Sequence, residues 1–142
     1  MKNFEELDCW KKATALRRRL SELVKKFPND EKYRLTDQII RASRSVTANI
    51  AEGYGRYHYQ ENAQFCRQSR GSLFELIDHL IVAGDEKYIS DAEFAEFKTE
   101  IESCLIVLNG FINYLIQAKS RTNKFEEPES RYELDSPLTI ND

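Results

Sequence analysis

Residues 90–116 of the chain read SDAEFAEFKTEIESCLIVLNGFINYLI, and this stretch decides the fold class. Ser90 and Glu93 have the spacing of a reciprocal capping box, which predicts that a helix begins here. Beyond it, apolar side chains recur every seven residues in two rows: Phe94, Ile101, Leu108 and Leu115 in one, and Phe97, Cys104 and Phe111 in the other. Two apolar rows at heptad spacing are typical of a helix that packs against other helices.

This helix is apolar around most of its circumference. Ile106, Val107 and Tyr114 lie outside the two rows, and a helix of this kind must be covered on nearly every side. Neighbouring helices could supply that cover, and a second copy of the chain would supply it more fully. We therefore predict a homo-oligomer whose interface comprises Ile106, Val107, Phe111 and Tyr114.

Three more amphipathic helices are predicted upstream, over about residues 4–26, from residue 35 or 36 to 53, and over 59–85. Asn3 and Glu6 have capping-box spacing at the start of the first helix. Gly53 and Gly55 are expected to supply the backbone freedom that ends the second. The small pair Gly71-Ser72 is expected to let a neighbouring helix approach the third closely.

Four such helices with short connections predict an all-α protein, an antiparallel up-and-down four-helix bundle over residues 1–123. Residues 124–142 contain two prolines and six acidic residues and are predicted to form a disordered acidic tail. The N-terminus shows no secretory signal. The most apolar run, residues 104–116, is shorter than the ~20 residues of a membrane span. We therefore expect a cytoplasmic protein with no membrane association.

Composition argues against metal and cofactor chemistry. Cys9, Cys66 and Cys104 are far apart in sequence, and neither His58 nor His79 lies near a cysteine. A structural zinc site needs about four ligands at defined spacing, so we predict neither a metal nor a cofactor, and three reduced, buried thiols.

Charge is distributed unevenly along the chain. Residues 1–70 carry 15 Lys and Arg against 9 Asp and Glu, a net charge of +6. Residues 71–142 carry 6 against 15, a net charge of −9. Such asymmetry indicates that one part of the molecule attracts anions, or binds the acidic part of another copy.

The first helix concentrates this positive charge in two rows of period seven. Lys11, Arg18 and Lys25 form one row, and Lys12, Arg19 and Lys26 form the other. Arg41 and Arg44 add cations on the outward side of helix two. Such a ladder suits sequence-independent contact with phosphates, so these eight residues are the candidate nucleic-acid-binding set. The alternative is an ordinary solvated helix face.

Other polar groups favour structural roles. Asn49, Glu52 and Arg56 lie on a polar stripe of helix two that offers one carboxylate and no histidine, so we predict no catalytic residue and no enzyme. The tetrapeptide GYGR at residues 53–56 lacks the strand that precedes a phosphate-binding loop and is better explained by helix termination. Arg56 and Arg70 are expected to form structural ion pairs, with carboxylates such as Glu52 or Glu75.

Residues 45–56, SVTANIAEGYGR, resemble a family of bacterial four-helix bundles associated with intervening sequences in 23S ribosomal RNA genes. The specific part is NIAEGYGR, within which Asn49, Glu52, Gly53, Gly55 and Arg56 form the structural motif. The resemblance extends over roughly residues 4–118. Supporting matches are Leu7, Trp10, Ala13, Phe27, Pro28, Tyr33, Gln38, Arg41, Ala42, Glu61, Phe65, Gly71, Ser72, Leu73, Glu75 and Leu76.

The resemblance implies a ring-like homopentamer without enzymatic activity. A related branch, the accessory variability determinants of diversity-generating retroelements, implies binding of nucleic acid and of a reverse transcriptase through a basic surface. Two functions stay open for this chain: an oligomeric accessory protein that binds RNA or DNA, and a protein-interaction module whose basic face meets an acidic partner.

Overall fold

The computed structural model describes residues 3–122, and side chains through residue 120. It contains four α-helices: α1 (Asp8–Leu23), α2 (Leu35–Tyr54), α3 (Tyr59–Asp85) and α4 (Asp91–Thr122). Each helix packs against the next, and α4 packs against α1. Together with the short connections, this confirms the all-α antiparallel four-helix bundle. The predicted acidic tail, 124–142, lies outside the described residues.

The heptad rows of α4 form the centre of the core. Ile101, Leu108 and Leu115 are almost fully buried, and Phe97 and Cys104 are buried beside them. By length and composition alone α4 could cross a membrane, with a mean hydropathy of 1.3 in its most apolar window. The core helix of a soluble protein passes the same test, and 39% of that window is buried inside the bundle.

The chain enters α1 differently from the prediction. The side chain of Asn3 accepts a hydrogen bond from the Phe4 amide, and residues 4–6 form a single 3₁₀ turn. Leu7 then adopts an extended conformation and α1 begins only at Asp8. The break places the Leu7 side chain in the core. The predicted capping box between Asn3 and Glu6 is therefore wrong, whereas the one at α4 is confirmed: Ser90 and Glu93 exchange hydrogen bonds of 2.9 and 3.1 Å.

The glycines have other roles than those predicted. Gly53 lies inside α2, and Gly55 has a right-handed φ of −72°; the left-handed residue of the α2–α3 turn is Tyr57, at φ 57°. A Cβ on Gly53 would lie 2.7 Å from Asn62 Oδ1 and 2.9 Å from Phe65 Cβ, whereas a Cβ on Gly71 would meet nothing within 4 Å. Close helix approach therefore depends on Gly53. Of the predicted small pair, Gly71 faces no neighbour, so that half of the prediction is wrong, whereas Ser72 is buried and contacts Ser45 on α2.

Polar side chains also hold α2 against α3. Ser69 Oγ donates to the Val46 carbonyl at 2.8 Å, and Ser72 Oγ donates to Ser45 Oγ at 2.9 Å. Within α2 itself, Asn49 Nδ2 donates to the Ser45 carbonyl one turn earlier, at 2.9 Å. Short side chains that bond across the seam permit close approach and satisfy groups that would otherwise be buried without partners.

Two connections meet at one end of the bundle. Tyr88, in the α3–α4 connection, packs on Phe27 with ring centroids 5.3 Å apart and donates its hydroxyl to Glu31 at 2.8 Å. This hydrogen bond lowers the pKa of Glu31 and raises the pKa of Tyr88 to about 12. The other Glu31 oxygen accepts from the Leu35 amide, which begins α2.

The end of α3 offers a stabilising substitution. The Tyr88 amide donates to the Ala83 carbonyl and the Lys87 amide to the Gly84 carbonyl, the pattern of a Schellman cap. The residue in the left-handed position is Lys87, at φ 66°, where glycine has no steric penalty. We expect Lys87→Gly to raise the free energy of unfolding by about 1 kcal/mol, measured by urea denaturation followed by circular dichroism.

Glu86→Gly is the matched control for this substitution. Glu86 is the neighbouring cap residue with a right-handed φ of −82°, so glycine there should lower the free energy of unfolding by roughly 0.5 kcal/mol. The same sign of change for both variants would contradict the role given to the left-handed conformation.

Candidate nucleic-acid interface

The eight predicted cations lie on one side of the molecule but differ in their partners. Lys11, Lys12, Arg18 and Arg19 belong to α1, and Lys25 and Lys26 follow it in a 3₁₀ turn. Arg41 and Arg44 belong to α2, which packs against α1. All eight side chains are exposed. Their ion pairs divide them into three groups.

The first group joins α1 to α4. Arg19 contacts Glu100 and, at 3.3 Å, Glu96, and its guanidinium lies 4.4 Å from the centre of the Phe97 ring. Lys26 pairs with Glu93, and the hydrogen bond from Lys26 lowers the pKa of that carboxyl. Because these pairs are exposed, each contributes at most about 1 kcal/mol, and their positive charge is neutralised locally.

The second group is paired within its own segment. Lys25 contacts Glu22 at 2.8 Å, and Arg41 contacts Asp37 at 2.9 Å. The first pair has i, i+3 spacing and the second has i, i+4 spacing, and both spacings bring side chains together on a helix surface. These two cations therefore add little net charge to the face.

The third group consists of Lys11, Lys12, Arg18 and Arg44. None of them forms an ion pair with any residue whose side chain the structure describes, and all are exposed. Lys11 and Arg18 are seven residues apart, which places them on one outer line of α1. Arg17, half-buried beside Arg18, is also without a described ion pair; we did not single it out in the sequence, although the run Arg17-Arg18-Arg19 signals it.

The opposite side of the bundle, formed by α3 and α4, exposes apolar side chains. Arg70 on α3 donates to Asn109 on α4 at 2.8 Å. One turn from this bond, in the same direction along the two antiparallel helices, come Phe74 and Ile106, which are 58% and 72% exposed. Ile81, two turns after Phe74, is exposed as well. We call Phe74, Ile81 and Ile106 the apolar patch.

The four residues of the predicted oligomer interface differ in their exposure. Ile106 is largely exposed, whereas Val107, Phe111 and Tyr114 are half-buried and pack against the core. The rings of Phe111 and Tyr114 stack with centroids 5.9 Å apart. Phe74 is not among the predicted interface residues, although it is an apolar side chain off the buried face of its helix, which is the signal that predicted Ile106.

The residues of the NIAEGYGR motif form contacts near the α2–α3 turn. Arg56 pairs with Glu52 at 2.9 Å and lies 5.0 Å from the centre of the Phe65 ring. The expected ion pair of Arg56 is thus present. Arg70 forms no such ion pair with a residue of the described part of the chain, where it bonds instead to the uncharged amide of Asn109. The geometry gives the motif packing contacts and no nucleophile–base pair.

The three cysteines are buried in the core as free thiols. Burial raises the pKa of Cys9 to about 12 and that of Cys104 to about 11, and it raises the pKa of Cys66 well above its usual value. A thiol in this state is protonated at neutral pH and is a poor nucleophile or metal ligand. Among the described residues, no group of three or more His, Cys, Asp or Glu side chains is placed to hold a metal ion.

Comparison with known proteins identifies the family to which the chain belongs. No curated protein matches the chain. The 23S rRNA-intervening sequence protein family matches residues 5–110, a range that includes α1, α2, α3 and the first two thirds of α4. It therefore covers the NIAEGYGR motif, the unpaired cations and the apolar patch, and the chain belongs to the 23S rRNA-intervening sequence protein family.

Proposed function

We propose that this protein is a non-enzymatic, cytoplasmic homo-oligomer that binds nucleic acid, RNA or DNA, through the outer face of α1 and α2. The observation that carries the proposal is the set of four exposed cations, Lys11, Lys12, Arg18 and Arg44, that lack a carboxylate partner among the described residues. Cations free of internal partners can displace counterions from phosphates, which gives sequence-independent binding that weakens as salt rises.

The location of the apolar patch supports the oligomeric part of the proposal. Phe74 and Ile106 lie on α3 and α4, and these helices face away from the outer side of α1 and α2 in a four-helix arrangement. Association through the patch leaves the cations accessible on every copy. A ring of copies, such as the homopentamer implied by the resemblance, then binds one strand at several points, which raises the overall affinity without new contacts.

The test is charge reversal with a matched control. Lys11→Glu, Arg18→Glu and Arg44→Glu are combined in one variant, and Lys87→Glu, Lys98→Glu and Lys119→Glu in the other. Both variants change the net charge equally, but the control residues lie on or between α3 and α4. We expect the first variant to bind a labelled RNA at least ~10-fold more weakly than the unaltered protein. Its binding should also depend less on salt, and the slope of log K against log[salt] should become smaller in magnitude by about 2 to 3.

Three results are decisive for this experiment. Unchanged helicity of both variants shows that the folded protein is being compared. Equal weakening by the control variant would contradict an interface on α1 and α2, since it would show an effect of net charge alone. Absence of binding by the unaltered protein at low salt would overturn the proposal.

The second candidate is a protein-interaction module. Within the bundle itself, Arg19 and Lys26 already pair with glutamates of a neighbouring helix, so the same face is chemically suited to an acidic protein surface, such as a reverse transcriptase or another copy. Capture of one defined partner that resists nuclease and is lost in the Lys11/Arg18/Arg44 variant would favour this function.

A further inference from the structure

Tyr33, in the connection between α1 and α2, is the most exposed large hydrophobic side chain of residues 3–120, at 83%. Its backbone is fixed on both sides: the Lys32 amide donates to the Asn29 carbonyl at 3.1 Å and the Arg34 amide to the Glu31 carbonyl at 2.9 Å. The ring therefore projects from a hydrogen-bonded turn.

The connection between α3 and α4 shows that a tyrosine at this end of the bundle can be packed against the protein. Tyr88 lies at the same end of the bundle, where it packs on Phe27 and donates to Glu31. Among the residues that the structure describes, Tyr33 has no ring-packing partner and no hydroxyl hydrogen bond of this kind, although it follows Glu31 by only two residues. Its ring is available to a partner outside the protomer.

The charges around Tyr33 favour an anionic partner. Lys32 Nζ lies 5.4 Å from the centre of the Tyr33 ring, and Arg34 has no ion pair with a described residue. Of the nearby carboxylates, Glu31 is engaged by Tyr88 and Leu35, whereas Asp30 is exposed in the same connection and Glu86 is exposed close to Tyr88 in the neighbouring one. An aromatic face between two cations matches a nucleobase with phosphates on either side.

From these observations we propose that Tyr33 is a base-stacking platform, flanked by Lys32 and Arg34, that makes the nucleic-acid interface prefer single strands. This inference rests on the proposed function and specifies its substrate class. Bases of a duplex are stacked on one another and present no face to Tyr33, whereas an unpaired base can stack on it. Tyr33 lies in the connection that follows the C-terminal end of α1, so one strand can run from Lys11 and Arg18 along α1 toward the ring.

Binding of a labelled single-stranded RNA and of a duplex of equal length tests the proposal, by fluorescence anisotropy at low salt with the full chain. The unaltered protein should bind the single strand more tightly. Tyr33→Ser should weaken single-strand binding by about 5- to 150-fold, the range for loss of one stacked base, and change duplex binding less than twofold. Tyr33→Phe, which keeps the ring, should retain the single-strand affinity.

Failure of this inference can be told from failure of the proposed function. If both polymers bind but Tyr33→Ser leaves the single-strand affinity unchanged, only the platform is overturned. If neither polymer binds, the proposed function is overturned as well. If Tyr33→Ser alters the mass of the oligomer in light scattering, the ring contacts another copy, and that result also overturns the platform.

Discussion

Gly53→Ala should lower the free energy of unfolding by about 2 kcal/mol, although alanine is the better helix former by about 1 kcal/mol. The added Cβ would lie 2.9 Å from Phe65 Cβ and 3.0 Å from the Asn62 carbonyl oxygen. Both atoms are fixed by the α3 backbone, so α3 must move away from α2. That displacement would strain the hydrogen bonds from Ser69 to Val46 and from Ser72 to Ser45.

Gly71→Ala is the control for this prediction. Gly71 is also inside a helix, but its Cβ would meet nothing within 4 Å, so alanine there should raise the free energy of unfolding by roughly 0.5 to 1 kcal/mol. Urea denaturation of both variants measures the two changes. Stabilisation by Gly53→Ala would show that α2 and α3 are not as close as the structure places them.

The largest effect on assembly is expected from the apolar patch. A double variant, Ile106→Glu with Phe74→Glu, should convert an oligomer into a protomer of 16.7 kDa in light scattering coupled to gel filtration. Both side chains are mostly exposed in the protomer, so glutamate there is solvated and the fold is retained. In an interface the same carboxylates would lose water without gaining partners, which costs several kcal/mol per buried charge.

Val82→Glu is the corresponding control, because Val82 is exposed on α3 and lies about 100° around the helix from Ile81. It should leave the oligomer mass unchanged. A protomer mass for the unaltered chain would contradict the oligomer altogether, and an unchanged mass for the double variant would place the interface elsewhere.

The fold was predictable because its determinants are local. The Ser90–Glu93 capping box and the heptad rows of α4 are read directly from spacing. The structure buries those rows except for Phe94 and Phe111, which are half-buried. The start of α1 was not predictable in the same way. Asn3 and Glu6 have the correct spacing, but burial of Leu7 in the core requires an extended residue between them and α1.

The functional face was only partly predictable, since its charge depends on tertiary contacts. The row of Lys11 and Arg18 and the row of Lys12 and Arg19 are indistinguishable by spacing. Only the position of α4 determines that Arg19 meets glutamates while Lys11 and Arg18 meet none. The roles of the glycines also depend on tertiary contacts, because α3 lies against Gly53 whereas no atom lies within 4 Å of a Cβ placed on Gly71.

A single carboxylate ties together two connections that are far apart in sequence. Glu31 accepts from Tyr88, before α4, and from Leu35, at the first residue of α2. The turn that presents Tyr33 is therefore mechanically coupled to the hairpin between α3 and α4. Under the proposed function, a strand held by Tyr33 would act on that hairpin through the Glu31–Tyr88 hydrogen bond and the Phe27–Tyr88 ring contact, and the hairpin leads into the helices where the copies are proposed to meet.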